Sequence, residues 1–269
     1  MTVVFLISFL PCTASAGFEN NGRGTRPSAL ANAFAAVGDS PWSTVYNPAG
    51  LADCHAFEFA VFMSPQQFGL KELRTTTVAL FAPLGDQKLG LVGGQFGFDL
   101  YRETALSLGI GKMASKGIAL GGTINLIRFS IERYGAVTAA SFDCGAIIEV
   151  VEGLHLGFDW KNFTGSTIGS TAESLPQVQA VGLCYEIAAT SRVTLELEKD
   201  IRFPFEFKMG YEQEFLHMLN ARFGMSNNPQ TASVGFGVEF AGIGFSYAGY
   251  SHQQLGWTHQ IEISFTTGR

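Results

Sequence analysis

From His55 onward the chain alternates apolar and polar residues in segments of about ten, the dyad period of a strand whose two faces meet different surroundings. The plainest segment sets Leu154, Leu156, Phe158 and Trp160 against His155, Asp159 and Lys161. Two more set Val193, Leu195 and Leu197 against Thr194, Glu196 and Glu198, and Phe205, Phe207, Met209 and Tyr211 against Glu206, Lys208 and Glu212. Between them lie turn signals such as Pro83-Leu84-Gly85-Asp86, Glu152-Gly153 and Asn227-Asn228-Pro229. Beyond the N-terminus no apolar run approaches the roughly 20 residues that a membrane-spanning helix needs. Yet charged residues make up only 15% of the chain and hydrophobic ones 46%. A soluble domain carries about a quarter charged residues, so a large area faces something other than water. Backbone polar groups in lipid must be satisfied internally, and without a helix only a closed barrel does so. The expected fold is therefore all-β, a transmembrane antiparallel β-barrel of about 14 strands spanning residues 54–269. An even count keeps both chain ends on one side, and Thr164 to Leu175, the longest polar interruption after the N-terminal segment, is expected as an extracellular loop.

The first 53 residues read differently. Met1 to Ala16 has an apolar core and the small-x-small site Ala14-Ser15-Ala16, which predicts a signal peptide over 1–16 and a mature chain from Gly17. Pro11 before Cys12 argues against a lipoprotein box. Residues 17–53 then form a separate segment. Pro27 and Ser28 open and Gly38 closes a run rich in small residues, predicting a short, tightly packed helix over Ser28 to Val37. Asn47-Pro48-Ala49-Gly50 predicts a turn, since proline fixes φ and forces the residue before it to be extended.

Gly24-x-Arg26, the small-residue run up to Asp39, the aromatic Trp42 and Asn47-Pro48-Ala49-Gly50-Leu51-Ala52 together resemble the N-terminal segment of PorV/PorQ-like and FadL-like outer-membrane barrels. The resemblance covers about a tenth of the chain and rests on that motif together with a barrel-like remainder. It implies a hatch lying inside or against the periplasmic end of the barrel, with Asn47, Pro48, Ala49 and Gly50 as its turn and positions 26, 32, 35 and 39 (Arg26, Asn32, Ala35 and Asp39) along its helix. It also implies either a hatch-gated channel for hydrophobic small molecules or a barrel that serves type IX secretion beside a translocon or cargo protein. A passive porin-like barrel and, last, a lipid-acting barrel enzyme are the alternatives.

With the apolar sets facing lipid, Glu103, Asp143, Asp159, Lys161, Glu196, Glu198, Glu206, Lys208, Glu212, Arg222, Glu239 and Glu262 line the interior. That interior is net acidic. It either disfavours anions or holds charges that adjacent strands pair, as with Lys208 among Glu196, Glu198 and Glu206. The glycines Gly90, Gly93, Gly94, Gly97 and Gly109 fit a wall that bends or that admits something close to it. For catalysis the only adjacent nucleophile and base are Ser251-His252, expected in the last hairpin turn without a third member, so no enzyme is expected. Cys54, Cys144 and Cys184 show no metal or disulfide spacing, and no cofactor is expected. A net charge of −6 without a basic cluster excludes nucleic acid. The expected partners are membrane lipid with a hydrophobic ligand or a secretion protein.

Overall fold

Fourteen antiparallel strands close on themselves, the last pairing with the first from Glu58↔Thr266 to Met63↔Ile261. The computed structural model describes residues 22–169 and 173–267, so the expected signal peptide and the start of the expected mature chain lie outside the described residues. The wall runs β1 (Glu58–Ser64), β2 (Thr75–Leu84), β3 (Gln87–Gly97), β4 (Tyr101–Ser115), β5 (Ile118–Ile131), β6 (Gly135–Val151) and β7 (Leu154–Lys161). A small hairpin, β8 (Thr167–Ile168) with β9 (Glu173–Ser174), interrupts it. The wall then continues through β10 (Val178–Ala188), β11 (Ser191–Asp200), β12 (Glu206–Phe215), β13 (Leu219–Asn227), β14 (Gln230–Phe240), β15 (Ile243–His252) and β16 (Gly256–Thr266). The fold class and strand number are those expected from the alternation. Among the described residues no helix is long and apolar enough to cross a membrane.

The two faces separate as the dyad period requires. On β7, Leu156 and Phe158 are 42% and 40% exposed while Asp159 between β6 and β10 is 1% exposed. Leu106, Leu108, Ile124, Leu126, Phe223, Phe236 and Ile263 continue the outward apolar surface around the barrel. The connections at the end bearing β1's start and β16's finish are tight, such as Gly85-Asp86 between β2 and β3. The opposite end carries the two long connections, 65–74 between β1 and β2 and 162–177 between β7 and β10. There the β7–β10 loop folds back, and Ile168 and Leu175 pack against Phe129 and Ala139 of β5 and β6.

Several local expectations are corrected. The N-terminal helix, α1, covers only Thr25–Ala29 instead of Ser28 to Val37. Ala31 and Asn32 adopt φ of 53° and 61°, in the left-handed region, which ends the helix and turns the chain. Position 32 is also where the alanine run is broken by an amide. The first strand starts at Glu58 and not at His55. Lys71–Leu73 is a 3₁₀ turn, so β2 starts at Thr75. Ser251 and His252 end β15 rather than sitting in the turn after it, and successive strand residues point to opposite faces. They therefore do not form a nucleophile–base pair.

The separation of faces sets a test. Phe236 lies near the middle of β14 on the outward face, and Phe236→Arg is expected to destabilise the barrel by about 2–4 kcal/mol in lipid. Thr231→Arg, on the inward face beside open space, is expected to cost under about 1 kcal/mol. Urea unfolding in vesicles, followed by the loss of heat-modifiable migration, measures both.

Candidate functional site

Inside the barrel lies the segment that the N-terminal sequence builds, and the wall is shaped to receive it. Three glycines stand side by side across β4, β5 and β6, with Gly111↔Gly121 and Gly121↔Gly145 in register. Gly157↔Gly182 joins β7 to β10, and Gly210↔Gly224 joins β12 to β13. A Cβ at Gly111 would stand 2.8 Å from the Pro48 carbonyl oxygen and from Leu51. At Gly182 it would meet the Ala36 nitrogen at 2.9 Å, at Gly210 Leu30 at 2.9 Å, and at Gly235 Ala29 at 2.5 Å. No ordinary side chain fits at such separations, so these glycines form a belt on which the hatch rests. Gly90 and Gly109 belong to it, against Thr44 and Leu51. Gly93, Gly94 and Gly97 do not: their nearest neighbours are strand residues, and Gly97 closes β3 with φ of 100°.

Asn47 is the best-connected side chain of the hatch. Its extended backbone, φ −137° and ψ 106°, is the one the following proline demands, and it caps the 3₁₀ helix Pro48–Asp53 by accepting from the Ala49 nitrogen at 3.0 Å. Its Nδ2 donates to the Ala35 carbonyl within the hatch and lies 3.2 Å from the carbonyl oxygens of both Ala146 on β6 and Phe158 on β7. One fully buried amide thus ties the turn, the Ala35 bend and two wall strands together.

Wall carboxylates satisfy the hatch's irregular backbone. Glu196 Oε2 accepts from the nitrogens of Phe34 and Ala35, at 2.8 and 2.7 Å, just past the left-handed pair that ends α1. Lys208 Nζ holds the other Glu196 oxygen at 3.1 Å, donates to Glu198 at 2.6 Å and has Glu206 at 3.9 Å. Glu262 Oε2 accepts from the Thr25 nitrogen at 2.9 Å, at the first residue of α1. Thr123 Oγ1 donates to the Thr44 carbonyl at 2.9 Å. At the hatch face nearer the termini, Arg26 grips Glu212 through Nε and a terminal nitrogen, at 3.0 and 2.9 Å, and also pairs with Asp39. Arg222 holds Glu212 from the other side at 2.6 Å, and Arg192 reaches Asp39 at 3.4 Å. Such fork-shaped, charge-assisted pairs are the strong ones, and here they join hatch to wall.

The hatch core is apolar. Trp42 meets Phe62 of β1 edge-on at 5.9 Å, and Phe34 packs on Tyr46 at 5.3 Å. Burial pushes the Tyr46 phenol above its ordinary pKa, so it stays a neutral donor, to Asn32 Oδ1 at 2.8 Å. Burial likewise pushes up the Cys54 thiol, which makes that cysteine unreactive. Cys184 is inward and buried, whereas Cys144 lies on the outward set, half-buried.

Open space lies on both sides of this plug. Two adjoining cavities of about 180 and 530 Å³ occupy the long-loop end. Arg23, Glu103, Asp143 and Lys161 border the smaller, and Glu198, Glu206 and Lys208 the larger. A third, of about 190 Å³, faces the end bearing the termini and is bordered by Arg26, Asp39, Glu212, Arg222, Glu239 and Glu262. Asp159 lies in neither space, buried in the wall behind the hatch. The sequence named these charges as interior but carried no sign that several of them would accept from hatch nitrogens. The paired glycines were the available signal.

No known protein family matches the sequence, and no curated protein matches it. Solved structures do share its shape. The monoaromatic hydrocarbon channel CymD superposes with a TM-score of 0.69 at 12% identity over 93% of this chain and 98% of that one. The toluene transporter TbuX of Ralstonia pickettii gives 0.68 at 11%, again over 93% and 98%. The toluene transporter TodX of Pseudomonas putida gives 0.66 at 12%, over 91% and 96%. A Pseudomonas aeruginosa FadL homologue matches at 0.63. The chain therefore has the FadL-type barrel fold.

The glycine belt is directly testable. Gly121→Val is expected to leave a heat-modifiable barrel but expel the hatch, making residues 22–53 accessible to protease. Gly93→Val, whose added Cβ has only Leu106 nearby at 3.6 Å, is expected to leave protection unchanged.

Proposed function

We propose that the protein is a hatch-gated channel of the outer membrane that passes small, largely apolar organic molecules. The observation that carries this is the position of the hatch: it fills the lumen between cavities at both ends, held to the wall by side-chain hydrogen bonds, ion pairs and packing and not by the continuous strand ladder. The fold shared with structures titled as hydrocarbon channels and toluene transporters supports the same reading. In it the outward apolar face meets membrane lipid, Asn47, Pro48, Ala49 and Gly50 anchor the gate, Arg26 and Asp39 fasten its termini-side face, Ala35 ties it to Glu196, and Asn32 braces Tyr46 within it. We place opening in displacement of the hatch, because the wall ladder closes on itself whereas the hatch joins it through side chains. The secretion alternative, a PorV-like barrel beside a translocon, has less to stand on. Most connections at the long-loop end are short, such as 253–255 between β15 and β16, and leave little platform for a large partner.

The test removes the anchor. Losing the buried Asn47 contacts is expected to weaken docking by about 1–3 kcal/mol, little beside the whole barrel but much for a short docked segment. Asn47→Ala with Pro48→Ala is therefore expected to raise permeation of benzyl alcohol into proteoliposomes severalfold while heat-modifiability persists. Unchanged permeation together with increased protease cleavage of residues 22–53 would show a loosened hatch that gates nothing, and the channel reading would fall.

A further inference from the structure

The larger cavity at the long-loop end has two unlike walls. One is aromatic. The β1–β2 connection bends into the barrel mouth, with Phe68 at φ 53° and Gly69 at φ 81°, and the Phe68 nitrogen donates to Thr258 Oγ1 at 3.0 Å. Gln67 Nε2 donates to the Tyr250 hydroxyl at 2.7 Å, which fixes the loop against β15. Phe68 thereby sits edge-on to Tyr250 at 6.0 Å and to His252 at 5.6 Å, and all three border the cavity. The other wall is acidic. Lys208 is the one ammonium among Glu196, Glu198 and Glu206, and Arg202 is engaged by Asp200 at 2.7 Å. Lys161, at the rim of the adjoining smaller cavity, adds a second ammonium near Glu198, so three carboxylates against two ammoniums leave a negative surplus of one, and Glu198 and Glu206 carry it to the cavity surface. A space of about 530 Å³ lies within the range that takes a small organic ligand.

We propose that this cavity is the selectivity site of the channel and binds a small organic cation with an aromatic body, its ring against Phe68 and Tyr250 and its ammonium toward Glu206 and Glu198. This rests on the channel reading and narrows it. A purely hydrocarbon ligand would strip water from the carboxylates and return nothing to them, whereas a carboxylate ligand would meet like charge. An aromatic amine satisfies both walls: its ring takes apolar and edge-to-face contacts, and its ammonium donates to oxygens that Lys208 alone does not neutralise. The acidic mouth also concentrates cations near the entrance, an effect that weakens with salt.

The test measures binding apart from transport, on the whole protein in detergent, by calorimetry with three probes of similar size: 2-phenylethylamine, 3-phenylpropionate and ethylbenzene. The amine is expected to bind at least about tenfold more tightly than either of the others, a difference of about 1.4 kcal/mol. Its affinity is expected to fall with added salt and to drop severalfold in Glu206→Gln and in Phe68→Leu, both checked for heat-modifiable folding. Equal or tighter binding of phenylpropionate or ethylbenzene, no binding of the amine, or amine affinity unchanged in folded Glu206→Gln would each overturn the assignment. Ethylbenzene preference with a conducting hatch variant would leave the channel standing and the ligand class wrong. Amine binding with a non-conducting hatch variant would leave the site standing without a channel.

Discussion

An irregular stretch of backbone inside a barrel must have every buried nitrogen and carbonyl satisfied, and that requirement shapes the rest of this molecule. Leu30 to Val37 forms neither helix nor strand, so its nitrogens at Phe34 and Ala35 look outside the segment for acceptors and find Glu196. At the first residue of α1, the Thr25 nitrogen finds Glu262. Asn47 does the complementary work, donating to one hatch carbonyl and two from the wall. Carboxylates placed this way need counter-charges of their own, which explains why Lys208 is buried among three of them. The lumen is polar because the hatch is there.

The same requirement explains the glycines. For these bonds to form, the hatch backbone must come within contact distance of the wall backbone, and a Cβ on the inward face prevents that. Glycine in a strand interior costs roughly 0.5–1 kcal/mol relative to alanine, so a belt of them is a standing expense that only a close approach offsets. The result is a plug bonded to a continuous ladder at a limited set of points. A segment attached so can move as a unit while the fourteen-strand wall keeps its hydrogen bonds.

Function follows from what the plug leaves open. Each end of the lumen keeps a cavity, and the chemistry differs between them. The termini end carries the Arg26, Arg192, Arg222, Glu212 and Asp39 network that fastens the hatch, while the loop end carries an aromatic wall facing a surplus of carboxylate.

The dyad alternation by itself determined the barrel, its strand number and which charges point inward, because period two admits only two faces and low charge assigns the outer one to lipid. Asn47-Pro48 determined its own local geometry too, through the steric limits that proline imposes on its neighbour. Tertiary contacts shaped where α1 stops: Ala-rich sequence favours continuing a helix, whereas Glu196 accepts from the Phe34 and Ala35 nitrogens just past the left-handed turn at Ala31 and Asn32. Tertiary structure alone decided what the inward glycines meet: the dyad period turns Gly93 outward, toward Leu106, and Gly121 inward, and only the packed hatch shows that Gly121 faces Pro48. And it alone brought Phe68, in a loop without periodicity, beside Tyr250 and opposite Glu206, for contacts between residues so far apart along the chain exist only once the barrel has closed.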